Sequence, residues 1–146
     1  MRRNLSRVMV TSLLLALIML SVGCGGQVSF TTAKLSDATM ALGVTDDKQP
    51  VNATTVFSPD TEEIFCSVKL SNAPSDTQVT SVWIYVGGEE EDLTNYEIDN
   101  YSVITEGTRY INFSLPRGDN AFPKGDYKLV LYVDGKESVA LPFTVR

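Results

Sequence analysis

Gly125-Asp-Tyr-Lys-Leu-Val-Leu-Tyr-Val-Asp-Gly-Lys-Glu-Ser-Val-Ala-Leu-Pro-Phe-Thr-Val145 is the stretch that decides the fold. Successive side chains of an extended segment point to opposite faces, so Tyr127, Leu129, Leu131 and Val133 share one face and Lys128, Val130 and Tyr132 the other. Asp134-Gly135 follows at once, and Val139, Leu141, Phe143 and Val145 then repeat the period of two. Two alternating runs joined by Asp-Gly predict a hairpin. A lone hairpin cannot bury its apolar face, so this one requires a second sheet to pack against.

The upstream residues supply that sheet. Ile64, Cys66, Val68 and Leu70 alternate with Phe65, Ser67, Lys69 and Ser71, which predicts a half-buried strand. Asn72-Ala-Pro-Ser-Asp76 reads as a loop. Val79 to Val86, which carries Trp83, is apolar on both faces and reads as a central strand. Gly87-Gly88 stops it ahead of Glu89-Glu-Glu-Asp92. Tyr101 to Ile104 is expected to be a short edge strand, with Gly107 marking the next turn. Arg109, Ile111, Phe113 and Leu115 then alternate with Tyr110, Asn112 and Ser114 as far as Pro116. Nearer the N-terminus, Thr54 to Phe57 is β-branched and aromatic, between turns at Asp46–Pro50 and Ser58–Asp60. Ala33 to Val44, with Leu35, Met40, Leu42 and Val44, reads as a further strand. Strands at spacings of about 10 residues, parted by Pro, Gly, Asn and Asp, predict an all-β sandwich. The expected count is seven to eight antiparallel strands.

The first residues are of another kind. Arg2, Arg3 and Arg7 precede a nearly uninterrupted apolar run from Val8 to Val22, followed by Gly23 and Cys24. A basic start, a short apolar core and a small residue make a secretory signal, too short for the roughly 20 residues that span a bilayer. Leu20-Ser-Val-Gly-Cys24 resembles a bacterial lipobox, although the place three before the cysteine holds Ser21, with the leucine one step earlier. The resemblance implies a diacylglycerol thioether on Cys24, which becomes the mature N-terminus. Each buried CH₂ of the acyl chains is worth about 0.8 kcal/mol, so two or more chains anchor stably. Position 25 is Gly rather than Asp, which by the same resemblance implies the outer membrane in a two-membrane cell. In a single-membrane cell it implies the outer face of the plasma membrane. The expected layout is residues 1–23 signal peptide, 24–32 lipidated N-terminus and tether, and 33–146 folded domain.

Charge narrows the partners. The 146 residues hold 12 basic and 18 acidic side chains, and no histidine. Three of the 12 lie among the first 24 residues, so the rest sets 9 bases against 18 acids, a net of −9. Such a domain repels the phosphates of nucleic acid and an anionic lipid surface, so neither is an expected partner of the fold itself. Without histidine the commonest general base and metal ligand are missing.

The strand pattern from Phe57 to Val145 resembles the immunoglobulin and fibronectin type III class, in its strand count, in Trp83 on a middle strand and in Gly125-Asp-Tyr127 leading into the penultimate one. The resemblance implies a corner tyrosine at Tyr127 whose hydroxyl bonds back to the chain. Thr55-Val-Phe-Ser-Pro-Asp60, the Trp83 strand and Pro123-Lys-Gly-Asp-Tyr127 also look like features of small bacterial envelope lipoproteins. Neither resemblance carries an activity.

Candidate chemistry is sparse. With Cys24 acylated, Cys66 has no partner for a disulfide and is expected to be a small buried apolar residue rather than a reactive thiol. Glu89, Glu90, Glu91 and Asp92 offer oxygen ligands for Ca²⁺, but calcium loops alternate acids with other residues so that the side chains converge. Four consecutive carboxylates read first as a solvated loop tip. Arg117-Gly118-Asp119 and the Asn-x-Ser/Thr sites at Asn52 and Asn112 are short matches of little weight. A serine or cysteine nucleophile would need a base other than histidine, and a domain this small leaves little scope for a deep cleft. The expectation is a non-enzymatic, lipid-anchored envelope module that binds or braces an envelope protein or glycan, with no cofactor beyond the lipid. Tyr96, Tyr101 and Tyr110 are its candidate contacts. A Ca²⁺- or small-ligand-binding module using the 89–92 loop is the rival.

Overall fold

The structure is a computed structural model that describes residues 30–146, so the expected signal segment, Cys24 and most of the expected tether lie outside the described residues. Seven strands follow in order: β1 Lys34–Val44, β2 Pro50–Ala53, β3 Val56–Phe57, β4 Glu63–Gly88, β5 Tyr96–Pro116, β6 Gly125–Val133 and β7 Lys136–Val145. The expected hairpin is β6–β7, with Tyr127 opposite Phe143, Leu129 opposite Leu141 and Leu131 opposite Val139. Its turn places Asp134 at φ 48° and Gly135 at φ 79°. Positive φ at both central residues is the turn whose twist suits a two-residue hairpin.

Two expectations need correction. The segment Asn72–Asp76 is not a loop between strands, and Gly107 is not a turn between strands. Both lie inside long strands, because β4 and β5 stay paired through a shared bend with Ala73 opposite Gly107. The bend is made by bulges in the register on either side of Ala73 and by left-handed backbone at Asn72 and Asp76. Asparagine and aspartate tolerate that conformation better than other non-glycine residues. The short edge strand expected at Tyr101–Ile104 is accordingly part of a 21-residue strand.

The bend produces the two layers. The first half of β4 pairs with β1 on one side and the second half of β5 on the other. The second half of β4 lies between the first half of β5 and β6. One continuous hydrogen-bonded sheet, ordered β2-β1-β4-β6-β7-β3 with β5 beside β4, thus folds over on itself. The strands are not all antiparallel: β3 runs parallel to β7, with Val56 opposite Thr144 and Phe57 opposite Val145. The chain crosses from the β2 edge of one layer to the β7 edge of the other and arrives there in the direction of β7.

The core fills the space between the layers. Ile64, Cys66, Val68 and Leu70 are fully buried, as their alternation predicts, and face Val79, Trp83, Leu129 and Leu131. Phe143 meets Phe57 edge-on at 5.6 Å and Trp83 at 6.0 Å. Such aromatic pairs add about 0.5–1.5 kcal/mol each beyond area burial. Ser67 is also buried, although it points away from the core: its Oγ donates to the carbonyl of Lys48 in the β1–β2 turn at 2.6 Å. Where β4 ends, Gly88 lies opposite Gly125, and a side chain on either would run into the other strand's backbone at about 2.5 Å.

Residues 30–33, the β4 bend and the β6–β7 turn share one end of the sandwich, where Thr32 bonds the Asn72 carbonyl and Asp134 bonds Gln78. The 89–95 and 117–124 loops lie at the opposite end, joined by the bond from the Glu89 N–H to Lys124.

Candidate functional site

The candidate contact residues separate. Tyr96 and Tyr101 both lie on the first half of β5, 53% and 64% exposed, opposite the buried Tyr85 and Ser81. They therefore sit on the core-facing side of their layer but overhang its rim. Tyr110 is half-buried, opposite Lys69 on the outer face of the other layer, and does not join them. Ile98 and Ile104 are exposed on the same stretch, Ile104 opposite Gln78 and so on the other face from Tyr101: four of the eight large exposed hydrophobics in the described residues fall between 96 and 104. The bulge between Trp83 and Ile84 leaves Ile98 without a partner on β4, which turns it outward.

Away from the bend, the two halves of β5 frame an open cleft of about 360 Å³. It is lined by Ser81, Asp99, Asn100, Tyr101, Asn112, Phe113 and Ser114. A second, more apolar groove of about 470 Å³ runs between β1 and β7, along Met40, Ala53, Thr54 and Leu141. Asp99, Asn100 and Ser81 were not singled out from sequence. The available signal is that no lysine, arginine or proline occurs anywhere from Glu89 to Thr108, although seven acids do.

The acidic loop is partly occupied with structural work. The Glu89 carboxylate accepts the Lys124 N–H at 2.8 Å while its own N–H donates to the Lys124 carbonyl at 2.9 Å. The Glu90 N–H donates to the Tyr85 hydroxyl, which donates in turn to the same Lys124 carbonyl. One acid of the four is thus spent fastening the loop to the start of β6. Among the described residues no three acidic, cysteine or histidine side chains converge as a metal site would require.

Cys66 lies in the core, and burial pushes its thiol up to about 12, against a smaller lowering by a backbone bond at Thr39. That is opposite to the lowered pKa of a reactive thiol. The Tyr127 hydroxyl donates to the Pro123 carbonyl, four residues upstream, at 2.6 Å. Burial, then the neighbouring Tyr85 hydroxyl, Glu89 and Glu90, raise its pKa above the ordinary tyrosine value.

Two packed β layers, a parallel β3–β7 pair at the edge, a buried tryptophan on the central strand and a corner tyrosine define an immunoglobulin-like β-sandwich. No known family and no curated protein matches the sequence. In structure the chain is similar to an immunoglobulin-like protein from Pseudomonas aeruginosa, with TM-score 0.53 and 16% identity over 78% of this chain and 96% of that one. It is similar also to part of the alkylpurine DNA glycosylase AlkC of Pseudomonas fluorescens, solved bound to DNA containing an abasic site analog, at TM-score 0.50 and 15% identity. A third likeness is to part of a β-glucosidase from Listeria innocua in complex with gluconolactone, at TM-score 0.52 and 8% identity. The matches cover 78% and 80% of this chain but only 30% of the glycosylase and 16% of the glucosidase. At these identities the likeness is one of fold, and the fold carries no activity with it.

Proposed function

We propose that this chain is an extracytoplasmic protein held to a membrane by lipid on Cys24, and that its domain is a non-catalytic module that binds or braces an envelope component. The observation that carries the reading is the concentration of exposed Tyr96, Ile98, Tyr101 and Ile104 on one stretch of β5. Large apolar and aromatic side chains gathered along one strand edge are the residues that interfaces favour. The chain enters the domain at the end bearing the β4 bend, so lipid at Cys24 would hold that end toward the bilayer. The 89–95 loop, with its four acids, would then point away beside the 117–124 loop, as its negative charge near an anionic surface favours. No cofactor is proposed beyond the covalent lipid, and no nucleic acid partner.

The test is fractionation of cells producing the natural chain or Cys24→Ser, together with a photo-crosslinker placed at Tyr101. The natural chain is expected in membranes with an acylated Cys24 at its N-terminus, and the variant in the soluble fraction. The crosslinker is expected to capture one recurrent envelope protein or glycan. A Cys24→Ser protein that remains on membranes sinks the anchor.

A further inference from the structure

We propose that the free edge of β5 from Asp99 to Thr105 takes up one extended strand of a partner protein, and that this strand carries lysine or arginine. The inference rests on the reading of the chain as a binding module and names what it binds.

A sheet edge presents unpaired N–H and C=O groups that template another strand, and proteins commonly blunt their edges with proline, lysine or very short strands. Two edges here are blunted in that way. Strand β2 has four residues and starts with Pro50, and β3 has two. Strand β5 is the exception: among the described residues it pairs with β4 alone along 21 residues. From Asp99 to Thr105 its register with β4 is unbroken.

The direction of the free groups follows from two bonds. The Tyr101 carbonyl accepts from the Ser81 hydroxyl and so turns toward β4. The Asn100 N–H instead meets the carboxylate of Asp99, the residue beside it, at 2.9 Å. Backbone groups alternate along an antiparallel strand, so Asn100, Ser102 and Ile104 direct theirs away from β4. Asp99 covers one of these, and Ser102 and Ile104 are left open to a partner.

Charge selects the occupant. Between Tyr96 and Glu106 the strand carries Glu97, Asp99 and Glu106 and no base, and the 89–92 loop beside it adds four acids. A second copy of this chain would bring the same carboxylates to the same edge, and like charges across a strand pair repel. Asp99 shares a face with Tyr101, and Glu97 shares the other with Ile104, so a strand carrying both basic and apolar residues on each face meets the carboxylates and the exposed apolar side chains together. Backbone bonds then supply affinity and the side chains supply selectivity.

The full chain, isotope-labelled and purified in detergent micelles, is titrated with a synthetic peptide of Lys-Lys-Val-Val repeats, which sets lysine and valine on both faces of the strand. Amide shifts should concentrate at Asp99–Thr105, and exchange at Ser102 and Ile104 should slow. Ser102→Pro removes an outward N–H, which an edge strand tolerates, together with the 2.7 Å side-chain bond to Thr80, and should weaken binding more than about tenfold relative to Ser102→Ala, which loses only that side-chain bond. Reversing charge with Glu97→Lys and Asp99→Lys should shift preference to the same peptide built with glutamate. The proposal is overturned by protection at β2 or β3 instead, or by shifts in the 89–92 loop without protected β5 amides. It is equally overturned if protection of β5 grows with protein concentration in the absence of peptide, which would make a second copy the occupant. A Tyr101 crosslink that still captures an envelope component while the peptide fails would remove strand uptake and leave the binding module standing. Peptide pairing without any envelope capture would do the reverse.

Discussion

Tyr127→Phe isolates one hydrogen bond in the structure. The Tyr127 ring stacks on Phe143 at 5.2 Å and meets Tyr85 edge-on at 5.0 Å, and both contacts survive the substitution. What is lost is the 2.6 Å bond from the hydroxyl to the Pro123 carbonyl, which ties the 117–124 loop to β6. A typical bond of this kind contributes about 1 kcal/mol net, and leaving a partly buried acceptor unsatisfied raises the cost, so the expected loss is roughly 1–2 kcal/mol. Trp83 is the chain's single tryptophan and is buried, so its fluorescence reports unfolding in urea. With a slope near 1–2 kcal/mol per molar urea, the midpoint should fall by roughly 0.5–2 M with the slope unchanged. A midpoint within about 0.2 M of the natural protein's would refute the reasoning: water would then replace the hydroxyl at no cost, and the corner bond would not hold the loop.

Two further outcomes follow from the core. Trp83→Ala should cost about 3–5 kcal/mol, measured by circular dichroism because the fluorophore is gone, and a loss under about 1 kcal/mol would contradict its place between the layers. Cys66 should resist thiol reagents in the folded protein and react once urea unfolds it. Its thiol also makes stability depend on pH. The folded state keeps a proton up to about 12 that the unfolded chain gives up near 9.0. That contribution is fully present below pH 9.0 and is lost as pH rises toward 12, at about 1.4 kcal/mol per pH unit. Cys66→Ala should flatten the slope just above pH 9.0, below the range where Tyr127, whose pKa burial also raises, adds its own; an unchanged slope there would place the titrating group elsewhere.

Where the apolar pattern had period two and a clean turn, it predicted the structure closely. The β6–β7 hairpin, the core face of Ile64 to Leu70 and the burial of Trp83 follow from side chains whose face is set by local alternation and burial, and the bond back from Tyr127 is the one that the resemblance to the immunoglobulin class implies. The errors fell where polar residues sit inside strands. Asn72–Asp76 and Gly107 look like turns in isolation, and locally they do bend the backbone. They remain in strands because each lies opposite the other's bend, a pairing between residues far apart in the chain. The exposed tyrosines were legible as candidates, but their division between the two halves of β5 was not.

By itself the sequence determined an all-β domain, much of its core and its acidic charge, and its N-terminal residues resemble a lipoprotein signal, because composition and period are local properties. Tertiary structure alone decided that two long strands cross between layers, that β3 runs parallel to β7, and that Glu89 fastens a loop while Tyr96 and Tyr101 line an edge that is unpaired among the described residues. Those outcomes depend on which backbone groups find partners across the fold. A strand's sequence states which of its side chains prefer water; only the assembled sheet states which of its edges is left without a neighbour.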